Sequence, residues 1–418
     1  MSANSADELF AFIALQIEKF IKTHNEDHFE AHLRRRQTIS SPEGYKEEKI
    51  FKLGFTFSFP VHQTSINRGT LIRWTKGFNI PDVVGKDVCL LLQRQIDMLK
   101  LPVRVAALVN DTVGTLMSRS YTSPGKSKTL LGAIFGTGTN GAYIEKMSNV
   151  KKPLVGNYKA STGEMVINVE WGAFDSELKT LPTTPYDTAI DKQTFNPSMQ
   201  MFEKQISGMY LGEILRLVIL DMNKAASLFR DDTSRDNDFK SFTQIYPDSP
   251  LWTENGVDSS ILSLAAADNS SALSALRGAI TQILKVHAPS SEDARAVKAV
   301  AHVIGRRAAR LAAVAVGAIV IQSGRLGTSA TEPVANLKAD PAEEIKEEDM
   351  VDVGVDGSLV EFYPGFEEQI REGLRAINGI GEKGEKKIRI GIAKDGSGVG
   401  AALIALVADG IEEKPDAE

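Results

Sequence analysis

Cysteine is nearly absent. Cys89 stands alone among 418 residues, which excludes an internal disulfide framework and suits a reducing compartment. A basic excess is missing too. Lysine and arginine number 48 against 54 aspartates and glutamates, a formal charge of -6. That balance gives no electrostatic footprint for nucleic acid or an anionic membrane. No apolar run is long enough to span a bilayer confidently. The longest, "AARLAAVAVGAIVIQ" at Ala308 to Gln322, is alanine-rich and reads as a buried helix running into a buried strand. The opening residues are polar, with no apolar leader. These absences describe a soluble, cytoplasmic chain of ordinary globular composition. Its length exceeds what one core usually supports, so two domains are expected.

The patterning that is present alternates between helical and strand periods. "ELFAFIALQIEKFIKTH" has apolar positions at helical spacing, and "FKLGFTFSFP" alternates up to Pro60. "VGKDVCLLLQRQIDML" reads as a helix. "LPVRVAALVNDTVGTLM" reads as a buried strand that turns at Asn110 and Asp111 into a helix. "KTLLGAIFGTGTNGAYIEKM" is strand, glycine turn and strand, and "GEMVINVEWGAF" is a further strand. "PSMQMFEKQISGMYLGEILRLVILDM" reads as one long helix, and Arg295 to Val316 as another. "RIGIAKDGSGVGAALIALVADG" is strand, glycine turn and helix. Hairpins and crossovers together make a mixed α/β order. Residues 326–350 carry many charges plus Pro333 and Pro341, and read as a mobile surface insertion.

The glycine stretch contains a literal G-x-G-x-x-G at Gly136, Gly138 and Gly141. A dinucleotide fingerprint requires a strand, the turn and then a helix. Here "AYIEKMSNVKKP" follows, and Pro153 cuts any helix short, so a second strand fits better. The stretch then reads as a hairpin. It is either purely structural or a cradle whose backbone N–H groups, with the hydroxyls of Thr137 and Thr139, hold phosphate oxygens.

Polar residues gather at the ends of the apolar strands. Asn110 and Asp111 follow "VRVAALV" at the carboxyl edge, where open α/β folds place ligands. Asp111 also suits a helix cap. Asn140 lies in the glycine turn, Glu170 ends "VINVE" beside Trp171, and Glu203 opens a helix. Amides both donate and accept, and ionised carboxylates accept strongly from hydroxyls. The set therefore suits a polyol pocket. Lys76 in "RWTKGF", Ser58 in "SFP" and the flanking Trp74 and Trp171 complete the candidates.

On these residues the chain resembles the hexokinase family, and most of all its glucokinase branch. The stretches that carry the likeness are "GFTFSFPVHQTSINRGTLIRWTKGF", "VAALVNDTVGTLM", "LLGAIFGTGTNGAY", "INVEWGAF", "MFEKQISGMYLGEILR" and "VGVDGSLVEFYPGF", in family order. The resemblance implies a two-lobed actin-like ATPase (ribonuclease H-like) fold. The small lobe would be 1–111 completed by 390–418, and the large lobe 112–389. It implies phosphoryl transfer from ATP, with Mg2+, to the 6-hydroxyl of glucose or a related hexose. Asp111 would be the general base, aided by Lys76. Ser58, Thr75, Lys76, Asn110, Asn140, Glu170 and Glu203 would line the sugar site. Gly136, Thr137, Gly138, Gly354 and Ser397 would meet the nucleotide. The protein is expected to act as a monomer.

One family element is not found. The resemblance implies an N-terminal strand pair around an Asp-x-Gly-Gly-Thr-Asn turn, yet no Gly-Gly pair occurs before Asn110. The first strands of the small lobe are therefore expected to be missing, which would leave "FKLGFTFSF" at an open sheet edge. Losing one phosphate hairpin would cost transition-state stabilisation. Besides an active kinase, a non-catalytic sugar-binding or regulatory protein stays open, as does an incomplete chain.

Overall fold

The computed structural model describes residues 3–27, 29–30, 50–75, 78–125, 127–153, 163–230, 243–340 and 344–412. The chain divides into two compact units. One is Met1–Ser118 with Asp395–Glu418, and the other is Arg119–Lys394.

In chain order the first unit holds α1 (Ala6–His24), β1 (Phe51–Thr56), β2 (Val61–Ser65), β3 (Arg68–Leu71), α2 (Val88–Met98), β4 (Val103–Val109) and the start of α3 (Asp111–Thr122). Ser5 caps α1 by accepting from the Glu8 N–H, and Asp87 caps α2 through the Cys89 and Leu90 N–H groups. β1 and β4 run parallel, from Phe51 against Val103 to Thr56 against Val109, with a one-residue register shift between Leu53 and Gly54. Phe10, Ala14 and Ile21 of α1 share a core with Leu92, Ile96, Val103 and Val105. On the other side Ala106, Ala107 and Val109 pack with Ala401 and Ala405 of the C-terminal helix, Gly396–Glu412. The β-carbon-sized residues let the helix sit close to the sheet. Among the described residues β1 pairs with β4 alone, and no strand precedes α1.

The second unit contains β5 (Thr129–Phe135), β6 (Thr139–Lys146), β7 (Glu164–Asn168), α4 (Pro185–Gln193), α5 (Met201–Ile206), α6 (Gly208–Lys224), the two-residue β8 (Gln244–Ile245), α7 (Ser260–Ala267), α8 (Ser274–Ile283), β9 (Val286–His287), α9 (Ser291–Gln322), β10 (Val351–Asp356), α10 (Ser358–Phe362), α11 (Phe366–Arg375), α12 (Gly381–Lys386) and β11 (Ile388–Ile392). Its main sheet has the order β11-β10-β5-β6-β7. β10 is parallel to both β5 and β11, while β5–β6 and β6–β7 are antiparallel. Leu130, Leu131, Ala133, Phe135, Val353 and Val355 are buried in its centre. Among the described residues no helix is long and apolar enough to cross a membrane.

Two readings of the sequence change here. The apolar run to Gln322 is not helix then strand: α9 continues through it as one 32-residue helix. A Ser290–Asp293 capping box starts it, and no proline intervenes before its end at Gln322; Gly305 and Gly317 are tolerated inside it. Its alanines, including Ala308, Ala309, Ala312 and Ala313, are buried, so tertiary packing overrides the strand preference of the β-branched end. The helix expected from Pro197 to Met222 is broken at Ser207, which is extended at φ -78° and ψ 146°. Of the charged stretch, residues 326–340 and 344–350 are described; they have little regular structure, and nearby contacts hold their ends. Leu337 is buried, its carbonyl accepts from the Lys383 N–H at 2.9 Å, and Arg325 donates to the Lys128 carbonyl at 2.8 Å.

A buried carboxylate ties the edge of this sheet together. Asp352 on β10 accepts from Arg119 Nε at 2.9 Å and Nη2 at 2.6 Å, from Thr129 Oγ1 at 2.8 Å and from Arg389 Nε at 2.9 Å. Burial opposes its ionisation, but the hydrogen bonds from Arg119, Arg389 and Thr129 outweigh it and hold the carboxyl below its ordinary value of 3.8. A depressed folded pKa contributes stability above the unfolded value, and that contribution is lost as pH falls through the folded one. Asp352→Ala should therefore cost about 3–5 kcal/mol in urea unfolding at neutral pH. Titrating stability downward from pH 4 should show a decline in the wild type that Asp352→Asn lacks.

Candidate active site

The sugar-site candidates of the second unit meet around the start of β6. Asn140 Nδ2 donates to Asn168 Oδ1 at 2.8 Å and to Glu170 Oε1 at 3.0 Å, while its Oδ1 accepts the Gly141 and Glu170 N–H groups at 2.7 and 2.9 Å. Asn168 Nδ2 also donates to Glu170 Oε1, at 2.8 Å. Two amide side chains thus fix one carboxylate oxygen, and Glu170 Oε2 has no hydrogen-bond partner among the described residues. Glu170 is exposed and sits in the left-handed region at φ 55° and ψ 44°. A non-glycine residue holds that backbone only when its surroundings impose it.

Glu203 comes to the same place from α5. The Thr139 N–H donates to its Oε2 at 3.0 Å, and a β-carbon on Gly172 would stand 3.2 Å from the Glu203 Cβ. Glu203 is nearly buried. Burial first, then the Glu203 charge, push the Tyr210 hydroxyl up to about 12. Trp171 follows Glu170 and seals the floor. Its Nε1 donates to Thr139 Oγ1 at 3.0 Å, and its ring stacks on Phe135 with centroids 5.9 Å apart. Any β-carbon at Gly141 would overlap that ring.

The glycine turn is a hairpin, not the opening of a helix, because β6 follows it antiparallel to β5. This removes the dinucleotide reading. Gly136 N–H donates to the Gly138 carbonyl at 3.0 Å and closes the tip. The break at Ser207 lets the tip dock on α6. The N–H groups of Gly208 and Met209 donate to the carbonyls of Gly136 and Thr137 at 2.8 and 3.4 Å. Gly208 fits closely against the tip, since a β-carbon there would stand 3.2 Å from the Gly136 oxygen. The Asp356-Gly357-Ser358 turn lies against the same tip: a β-carbon on Gly136 would be 3.3 Å from Gly357 Cα. Thr137 is exposed, and the Thr137 and Gly138 N–H groups make no hydrogen bond among the described residues. Free donors on an exposed turn suit phosphate oxygens. Gly354 lies inside β10, covered by the Arg119 side chain.

The first unit carries the other candidates. Parallel pairing continues from the Phe57 N–H to the Val109 carbonyl at 2.9 Å, which sets Phe57 level with Asn110 and Ser58 level with Asp111 at the carboxyl ends of β1 and β4. Asn110 begins α3. Its carbonyl accepts the Gly114 N–H at 3.0 Å, and its Oδ1 accepts the Thr112 N–H at 3.0 Å and hydroxyl at 2.6 Å. Asp111 Oδ1 shares the Thr112 N–H at 2.8 Å. Asp111 Oδ2 and Asn110 Nδ2 make no hydrogen bond among the described residues. Gly114, one turn into α3, lies against Ser397 in the first turn of the C-terminal helix; a β-carbon would stand 2.9 Å from Ser397 Cα. Thr75 is half-buried, and its carbonyl accepts the Phe78 N–H at 3.1 Å. Trp74 stacks on Phe78 at 5.6 Å, meets Phe59 edge-on at 4.8 Å and bonds the Ile80 carbonyl at 2.7 Å. Lys76 lies outside the described residues.

Sequence reasoning did not single out Asn168 or the full role of Thr139. Both sit in stretches it had quoted, Asn168 two residues before Glu170 and Thr139 one before Asn140. A strand whose alternate positions end in polar residues was the available signal.

A two-unit α/β protein with a glycine hairpin beside an asparagine–carboxylate pocket belongs to a recognisable class. Residues 130–407 match a family model described as Hexokinase, and residues 1–121 match a second model of the same description. A glucokinase of Aspergillus niger is 54% identical over 413 residues, spanning 98% of this chain and 78% of that protein. Glucokinase-1 of Saccharomyces cerevisiae is 40% identical, spanning 97% and 75%. The solved structure of a hexokinase from Schistosoma mansoni complexed with glucose aligns with a TM-score of 0.72 at 33% identity, covering 96% of this chain and 76% of that one. The chain belongs to the hexokinase family and has its two-lobed, actin-like α/β fold.

Gly141→Ala tests the packing of the pocket floor. Displacing the Trp171 ring should destabilise the protein by about 1–3 kcal/mol. A lower melting temperature with red-shifted tryptophan emission is the expected outcome.

Proposed function

We propose that the chain is a hexose kinase that transfers a phosphoryl group from Mg-ATP to the 6-hydroxyl of glucose or a related hexose. Family membership supports this reading. The single observation that carries it is the pocket in which Asn140, Asn168 and Glu170 are held by mutual hydrogen bonds and Glu203 is held by the N–H of the adjoining Thr139. Amides and carboxylates arranged in this way match the hydroxyls of a sugar. The two compact units are taken as the small and large lobes, and residues 326–350 as a surface insertion of the large one.

Asn140, Glu170 and Glu203, with Ser58, Thr75, Lys76 and Asn110, orient the sugar. Asp111 accepts the proton of the attacking hydroxyl; its Oδ2 makes no hydrogen bond among the described residues, and Asn110 and Thr112 steady the turn that carries it. Gly136, Thr137 and Gly138 offer donors to the nucleotide phosphates, with Gly354 and Ser397 assigned to the same ligand. The start of the 17-residue C-terminal helix favours negative charge near Ser397. Bound Mg-ATP supplies the phosphoryl group and a cation that offsets its charge. Mg2+ would arrive bound to the nucleotide phosphates. With ligands so provided, the protein contributes positioning and charge stabilisation, which phosphoryl transfer chiefly needs.

A coupled assay of ADP release with glucose and Mg-ATP tests the proposal. Asp111→Asn should lower kcat by roughly 10²–10⁴, while glucose still quenches or shifts tryptophan emission. Glucose binding without turnover in the wild type would favour the sugar-binding, regulatory alternative. No response to glucose in either measurement would refute the sugar site.

A further inference from the structure

We infer that Thr139 and Trp171 form a positioning pair that sets the placement of the two sugar-site carboxylates; this rests on the hexose kinase reading and deepens it. Glu170 and Glu203 reach the pocket from different elements, one after β7 and one on α5. Their strongest common tie runs through these two residues. Trp171 is covalently next to Glu170, and its indole Nε1 donates to Thr139 Oγ1 at 3.0 Å. Thr139 in turn gives its backbone N–H to Glu203 Oε2 at 3.0 Å. The ring closes through the next residue, because Asn140 binds Glu170 at both its side chain and its backbone N–H.

The pair is built rigidly. Trp171 and Thr139 are 6% and 4% exposed, so water cannot replace the bond without opening the floor. The indole is clamped between the bare Cα of Gly141 and the face of Phe135. That clamp fixes the residue after Glu170 and so supports the left-handed backbone at φ 55°. Neither Trp171 nor Thr139 needs to touch the sugar. They act by keeping Glu170 and Glu203 at the spacing of the hydroxyls they receive. Carboxylates that bind the sugar alike before and during transfer influence KM more than kcat.

The experiment uses the whole chain and compares Thr139→Val, Thr139→Ser and Tyr143→Phe. Valine keeps the shape of threonine, removes the acceptor and spares the backbone N–H to Glu203. Tyr143→Phe is the control. It deletes a hydrogen bond of the same strand, the Tyr143 hydroxyl to Glu145 Oε2 at 3.1 Å, outside the pocket. Loss of one buried hydrogen bond in Thr139→Val should raise KM for glucose about three- to tenfold, with kcat within about twofold. Calorimetric Kd for glucose should weaken in parallel. Thr139→Ser should restore both, and Tyr143→Phe should change neither even if its melting temperature falls. An active wild type whose Thr139→Val variant keeps its KM and glucose Kd overturns the inference, as does a KM rise shared equally by Tyr143→Phe. A wild type that neither binds nor phosphorylates glucose overturns the hexose kinase reading, and the positioning pair with it.

Discussion

The docking of the glycine hairpin on α6 is the constraint from which the second unit's site follows. The Gly136 and Thr137 carbonyls accept the first N–H groups of α6, which would otherwise be orphaned at the helix start. The hairpin reaches them where the chain is extended at Ser207 and packs closely at Gly208. Once docked, the tip leaves the Thr137 and Gly138 N–H groups outward, and it places Thr139 and Asn140 at the mouth of β6. α5, on the other side of the same break, brings Glu203 to the Thr139 N–H. One helix interruption therefore serves both halves of the candidate site, the turn proposed for phosphate on one side and the carboxylate proposed for the sugar on the other.

The site is stiff where specificity requires it. Glu170 holds an unfavourable backbone, compensated by hydrogen bonds to Asn140 and Asn168 and by the seating of Trp171. One of its oxygens is saturated by amides, and the other remains for a ligand. Asp111 shows the same division: Oδ1 faces the Thr112 N–H, and Oδ2 is uncommitted. A carboxylate half-satisfied by the protein is oriented without being neutralised, which is the arrangement a base or a hydroxyl acceptor needs. The buried Asp352 is the contrast. Arg119, Thr129 and Arg389 use both of its oxygens, so its role is to join β5, α3, β10 and β11.

Much of this was legible in the chain. The turn at Asn110–Asp111, the second strand after Gly141 and the strand ending near Glu170 follow from local period and from Pro153, and the structure has all three. Motifs in family order pointed to the hexokinases, which the relatives bear out. What misled was the treatment of apolar helices as independent units. The residues from Met201 to Lys224 have an unbroken helical period, but the hairpin carbonyls compete for the N–H groups at Gly208. The β-branched end of α9 looks like a strand until its alanine face is seen to be buried.

By itself the sequence determined the elements, their order and the polar residues at strand ends, because period, turn chemistry and capping act within a few residues. Tertiary structure decided which of those polar groups meet. Asn168 joins Asn140 and Glu170 through antiparallel pairing of β6 with β7, and Glu203 joins them through a helix break some thirty residues on. Such contacts depend on sheet register and on close approach at Gly141 and Gly208. Both are properties of surfaces packed in three dimensions, and no local pattern of residues encodes them.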